Sequence, residues 1–208
     1  MKRFLKIAGG IVAILLLILG AVAWQYFINH NWRTVEEGAF YGSRQMSGPA
    51  LAAAIRDHGI KTVVNFRGDN AGQPWYDDEV KACEAAGVTH VNFAWSKSSL
   101  PPPESLAAYI ALIETGEKPF LTHCQGGTHR TGVAAACYEL IRGKGVDAAR
   151  AQFGPAFNDA PIGKLVDLYE GSTMPFAQWV REIYPLVYVE LKASEEQAAP
   201  EATVAAGA

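Results

Sequence analysis

The chain has 208 residues, 50% of them hydrophobic, and a formal net charge of −3. So near-neutral a balance excludes a polybasic surface, and no nucleic-acid partner is expected. Three cysteines, an odd number, do not form a disulfide framework.

The first element is apolar. From Ile7 to Trp24 no residue is charged or strongly polar, and Gln25 is the one polar residue before Ile28. Such a run is long enough to cross a bilayer, which takes about 20 residues as a helix. Lys2, Arg3 and Lys6 precede it, which keeps the amino terminus in the cytoplasm and sends the remainder across, with Trp24 and Tyr26 at the far interface. Residues 1–30 are therefore read as a transmembrane anchor that meets the membrane through residues 7–28. The alternative is a cleaved signal segment, since Ala21-Val22-Ala23 has the small-x-small form of a cleavage site. The apolar run exceeds the roughly 7 to 15 residues of a signal core, which favours the anchor. Either way the rest of the chain leaves the cytoplasm, into the periplasm if the cell is bacterial.

Residues 31–192 read as one α/β domain with a mostly parallel central sheet flanked by helices. A helix over Leu51–His58 stops at Gly59, and a buried strand follows over Ile60–Phe66. A second helix over Trp75–Ala86 stops at Gly87, and Val88–Trp95 is again a strand. Leu106, Ile110 and Ile113 give a helix face behind Pro101-Pro102-Pro103. Pro119–His123 is a short strand and Thr131–Arg142 a helix. Further helices are expected at 146–153, 162–169 and 176–192, the last kinked by Pro185. Residues 193–208 hold no large apolar side chain except Val204 and are expected to form a disordered tail.

The segment His123-Cys124-Gln125-Gly126-Gly127-Thr128-His129-Arg130-Thr131-Gly132 lies between a strand's carboxyl end and a helix's amino end. There, unpaired N–H groups and the helix dipole favour an anion. The same surroundings favour a thiolate at Cys124. Gly126 and Gly127 let the backbone curl into a nest of N–H groups around a tetrahedral oxyanion, so residues 125–130 are the expected phosphate-binding loop. Arg130 offers a planar fork for two phosphate oxygens, and Thr131 a hydroxyl near the thiolate. Cys83 and Cys137 fall on apolar helical patterns and are read as packing residues. Phe93, Trp95, Trp75 and Tyr76 are read as core in preference to a substrate slot. A metal site from His123, Cys124 and His129 lacks a second ligand pair, so neither a metal nor a cofactor is expected.

This loop resembles the Cys-x5-Arg-Thr/Ser signature of the cysteine-dependent protein tyrosine phosphatase superfamily, in its compact dual-specificity-like branch. Asn31-Trp32-Arg33, Val35 through Ser43, and Gly59 through Arg67 are similar to the opening elements of that branch. The resemblance implies a two-step hydrolysis in which Cys124 takes the phosphoryl group and water releases it. It also implies that Arg130 clamps the phosphate, Thr131 assists the departing thiolate, and His123 supports the loop from beneath.

The general acid is the departure from the pattern. The superfamily usually supplies an aspartate from a loop upstream of the cysteine, but the corresponding run Ala94–Pro103 has no carboxylate. Asp69, in the loop after the preceding strand, with Asp77 or Asp78 just beyond it as alternatives, and His129, inside the phosphate loop, are the candidates. Imidazole is the side chain suited to proton exchange near neutrality. Glu104 reads better as a helix-start residue. Since the loop carries Gln125 and Thr128 where relatives acting on inositol pyrophosphates carry cations, a densely charged substrate is disfavoured. Three readings follow. The first is a membrane-tethered phosphatase of phosphorylated proteins or small metabolites, the second a lipid phosphatase, and the third a non-catalytic phosphate-binding module. The oligomeric state is left open.

Overall fold

The computed structural model describes residues 2–205. Five strands form one sheet: β1 (Arg33–Glu36), β2 (Phe40–Arg44), β3 (Thr62–Asn65), β4 (Thr89–Asn92) and β5 (Phe120–Cys124), in the spatial order β1-β2-β5-β3-β4. β1 is antiparallel to β2; the other pairings are parallel. The expected mostly parallel α/β architecture is therefore present.

The helices are α1 (Lys2–Ala23), α2 (Gly48–His58), α3 (Pro74–Ala86), α4 (Pro103–Thr115), α5 (His129–Ile141), α6 (Gly145–Arg150), α7 (Lys164–Tyr169), α8 (Phe176–Glu182) and α9 (Tyr184–Ala205). Gly59 and Gly87 close α2 and α3 in the left-handed conformation, as their positions after the apolar patterns suggest. The three central strands β2, β3 and β5 alternate their buried side chains between two cores. Phe40, Val64 and Phe120 face one shared with α4, α5, α7 and α8. Tyr41, Val63 and Leu121 face another shared with α2 and α3. The central strands are thus covered on both faces, and their carboxyl ends open together at one edge.

Several boundaries differ from the sequence reading. α5 begins at His129, so Arg130 and Thr131 stand in its first turn. The expected kinked helix over 176–192 is two helices that break at Ile183 ahead of Pro185, where a proline ring restricts the residues before it. Where the composition of residues 193–208 suggests a disordered tail, α9 is drawn on as a helix to Ala205, and 206–208 lie outside the described residues. A composition that cannot build a core can still favour a helix, and alanine, glutamate and glutamine are strong helix formers.

At the other end, a helical stretch over Lys6–Ile28 is long and apolar enough to cross a membrane, and its most apolar 18 residues, with mean hydropathy 2.6, are not buried inside the protein. Its last five residues, Trp24–Ile28, wind as a π-turn. His30 and Asn31 then both take left-handed backbone conformations, and the chain swings directly into β1.

Candidate active site

The hollow at the carboxyl ends of the strands has a volume of about 660 Å³ and is lined by Cys124, the loop after it, and side chains from three other segments. Cys124 ends β5 opposite Arg44 of β2, and only four residues separate it from α5. Gly127 is left-handed, with φ +69°, and a Cβ there would fall 2.6 Å from the Arg44 backbone nitrogen, so only glycine fits. Gly42 has the same constraint from another direction, for its Cβ would meet Arg33 and Thr131 at 2.8 Å.

The curl of the loop is held from outside. Asn31 Nδ2 donates to the Gly126 carbonyl at 2.9 Å, Arg33 Nη2 to the Gly127 carbonyl at 2.7 Å, and the Gln45 N–H to the Gln125 carbonyl at 3.4 Å. Three consecutive carbonyls are thereby tied to β1, β2 and their flanks, which leaves the loop's N–H groups free for the hollow. Arg33 is itself fixed by donating to Gln152 O at 2.6 Å.

Cys124 is buried, and burial alone would push its thiol up. The hydroxyl and N–H of Thr131, the charge of Arg130 and the N–H of Gly127 together outweigh that, so the thiol titrates below its ordinary range. The other two cysteines go the opposite way. Burial raises Cys83 to about 12 and Cys137 further still, in keeping with thiols enclosed by hydrocarbon.

Arg130 Nη1 donates to the carbonyls of Phe66 and Trp95 at 3.1 and 3.3 Å, at the ends of the two neighbouring strands. This anchors one corner of its fork against the backbone at the edge of the hollow. Beneath the loop, His123 Nε2 lies 3.0 Å from Glu79 Oε1, and His90 Nε2 lies 2.8 Å from the same oxygen. Burial works against the Glu79 carboxylate, but its contacts with His123, His90 and Gln45 hold it down at about 2. It is a buried charge made tolerable by partners on three sides.

The two acid candidates are placed differently. Asp69 is exposed, accepts the Ala71 N–H at 3.0 Å as a turn residue, and does not line the hollow. His129 does line it, with Nε2 2.8 Å from Asn158 Oδ1 and its ring against Phe157 at 5.3 Å between centroids. Among the described residues no carboxylate lines the hollow. Phe93 and Trp95 pack with Phe66 and Tyr109 in the core, but Trp95 also lines the hollow; Tyr76 is buried, and Trp75 stacks under the Arg67 guanidinium at 3.5 Å.

Besides Asn31, Arg33 and Gln45, which hold the loop, four residues around the hollow escaped the sequence reading. Arg44 and Lys97 add cations to the hollow beyond Arg130, so it is more basic than the loop alone suggests. Arg44 has a positional signal, as the residue ending the strand beside Cys124. Tyr26, from the π-turn, forms a wall, and Glu79 is reached only through the packing of α3 beneath β5.

A family profile described as DSP-PTPase phosphatase fused to NAD+ kinase matches residues 22–161. A search of curated proteins gives no match. Among solved structures, TpbA of P. aeruginosa is 21% identical with a TM-score of 0.51, over 69% of this chain and 84% of that one. The core catalytic domain of the PP-IP phosphatase SIW14 from S. cerevisiae is 16% identical with a TM-score of 0.56, over 68% and 86%. Tk-PTP in its active form is 18% identical with a TM-score of 0.51, over 73% and 97%. At these identities the likeness is one of fold.

Proposed function

The chain belongs to the DSP-PTPase family of cysteine-dependent phosphatases, and from that premise we propose that Cys124 is its nucleophile in the hydrolysis of phosphomonoesters. The observation that carries this reading is a buried thiol held below its ordinary range by Thr131, Arg130 and Gly127. In the first step the Cys124 sulfur attacks phosphorus, the ester oxygen leaves with a proton, and the loop N–H groups with Arg130 hold the equatorial oxygens. In the second, water attacks the phosphocysteine and the thiolate departs toward the Thr131 hydroxyl. Gln125, Gly126, Gly127, Thr128, His129 and Arg130 bind the phosphate, and His123, braced by Glu79, supports the loop from below. His129 is the proton donor to the leaving oxygen, because it borders the hollow and Asp69 does not.

Residues 31–192 form the catalytic domain in this reading, and residues 1–30 tether it to a membrane with the site outside the cytoplasm. The apolar stretch over Lys6–Ile28 supports the tether. A cysteine-to-serine form of TpbA has been captured with pTyr, at 21% identity to this chain. An aryl monoester of that kind is the simplest probe.

The test is turnover of an aryl phosphate by the full chain in detergent, with rapid-quench trapping of labelled phosphoenzyme. Cys124→Ser is expected to lower turnover by about 10⁴-fold and to remove the S-phosphocysteine adduct, which is recognised by its lability in mild acid. An adduct that survives the substitution overturns the assignment.

A further inference from the structure

The hollow has a second chamber beside it. Ala21, Val22 and Tyr26 at the end of the apolar helix face Gly154, Pro155 and Ala156 across a cavity of about 430 Å³, whose lining is completed at the phosphate-loop end by the polar residues Gln25, Asn31, Arg33 and Thr128. Tyr26 and Thr128 line both chambers, so the two adjoin at the phosphate loop. The Tyr26 hydroxyl stands over that loop, 3.3 Å from where a side chain on Gly126 would begin. Arg44 closes the seam. Its guanidinium lies 4.6 Å from the Tyr26 ring centroid and 5.6 Å from that of Phe27, and it donates to the Tyr26 carbonyl at 3.3 Å.

These contacts fix the depth of the site. On the anchored reading proposed above, on which this inference also rests, a residue that ends the membrane-spanning helix forms a wall of the phosphate hollow, so Cys124 stands at the level where a bilayer carries its head groups. A phosphate on a folded, water-soluble protein would have to be brought down to that surface. A phosphate on an alkyl chain is already there. The cavity between the helix end and residues 154–156 is the apolar slot such a chain needs, while Ser96, Lys97, Ser98 and His129 form the opposite, water-facing wall.

We propose that the substrate is a membrane-borne phosphomonoester, a phosphate at the end of an acyl or alkyl chain, with the first methylenes in the slot beside Tyr26 and the phosphate on the Cys124 loop. This rests on the phosphocysteine reading above and names its substrate class. Arg44 and Tyr26 then bind at the junction of head group and chain, the cation toward the phosphate and the ring toward the hydrocarbon.

The experiment uses the full chain in phosphatidylcholine vesicles and measures release of inorganic phosphate from butyl, octyl and dodecyl phosphate, phosphatidic acid and a phosphotyrosine peptide. An aryl phosphate serves as the control. Each buried methylene contributes roughly fourfold, so kcat/KM is expected to rise by about 250-fold over the four methylenes from butyl to octyl phosphate, with phosphatidic acid above the peptide. Partitioning into the vesicle raises long-chain rates by itself. Ala156→Trp, an exposed position that fills the slot, separates the two effects and is expected to cut the octyl-to-butyl ratio at least about fivefold. A flat chain-length series, a peptide turned over faster than phosphatidic acid, or a ratio unmoved by Ala156→Trp each overturns the proposal. An inactive aryl-phosphate control overturns the phosphocysteine reading, and this one with it.

Discussion

The floor and the walls of the hollow are held by different means. The floor is Cys124 through Thr128 with Arg130 and Thr131: buried or half-buried apart from the exposed Gln125, curled around a glycine that admits no side chain, and tied through three carbonyls to Asn31, Arg33 and Gln45. The walls are Tyr26, Arg44, Ser96 to Ser98 and His129, drawn from a π-turn, a strand end, a loop and a helix start. A rigid floor suits chemistry common to all phosphomonoesters; walls from separate segments can change one at a time without disturbing it. Reaction and selectivity are thus physically separable in this fold.

The largest effect that sharpens this contrast is on the wall. His129→Ala is expected to lower kcat on an alkyl phosphate by about 100-fold and much less on an activated aryl ester, whose leaving group needs no proton. Equal losses on both would move His129 from wall to floor. Second is the brace under the floor. The Glu79 carboxylate is depressed from 4.5 to about 2, so it contributes stability that is present above pH 4.5 and lost as pH falls toward 2. Glu79→Gln is expected to cost about 2 kcal/mol near neutral pH, roughly a 30-fold change in the folding equilibrium, and to converge with the wild type in acid. Parallel melts across that range check it.

Thr131→Ala should raise the Cys124 thiol toward its ordinary range by removing the hydroxyl contact. The acidic limb of the kcat/KM profile then moves to higher pH, with a loss of about tenfold at mildly acidic pH and recovery in base. A limb that stays in place would mean that the Thr131 hydroxyl does not set the thiolate. The smallest effect belongs to Asp69→Asn, expected to change alkyl-phosphate turnover by less than about twofold, because Asp69 serves a turn outside the hollow. A large loss confined to alkyl esters would show that its loop swings over the bound substrate.

What the sequence made legible follows the same division. The floor is one contiguous segment, so residue types and spacing were enough to single out Cys124, Arg130 and Thr131, which the structure brings together, and the periodicity around it located β5 and α5 to within a few residues. The alternation of elements gave the parallel sheet. The strand order β1-β2-β5-β3-β4 was not readable, and it is this order that sets Arg44 beside Cys124. Glu79 and Arg33 were invisible for the same reason: each acts on the loop through packing across 44 and 94 positions of chain. Tyr26 was read as an interface aromatic, with no local signal that the turn after the span folds back over the phosphate loop.

The join between helix and sheet has a last consequence. Asn29 N–H bonds to Trp24 O, Asn31 N–H to Gln25 O, and Arg44 N–H to His30 O, so the chain passes from the apolar helix to the hollow with no free linker. On the anchored reading, an enzyme fastened so closely to its own span samples an area and not a volume. Its turnover would follow surface dilution: adding inert lipid around the substrate slows it, while adding buffer around the vesicles does not.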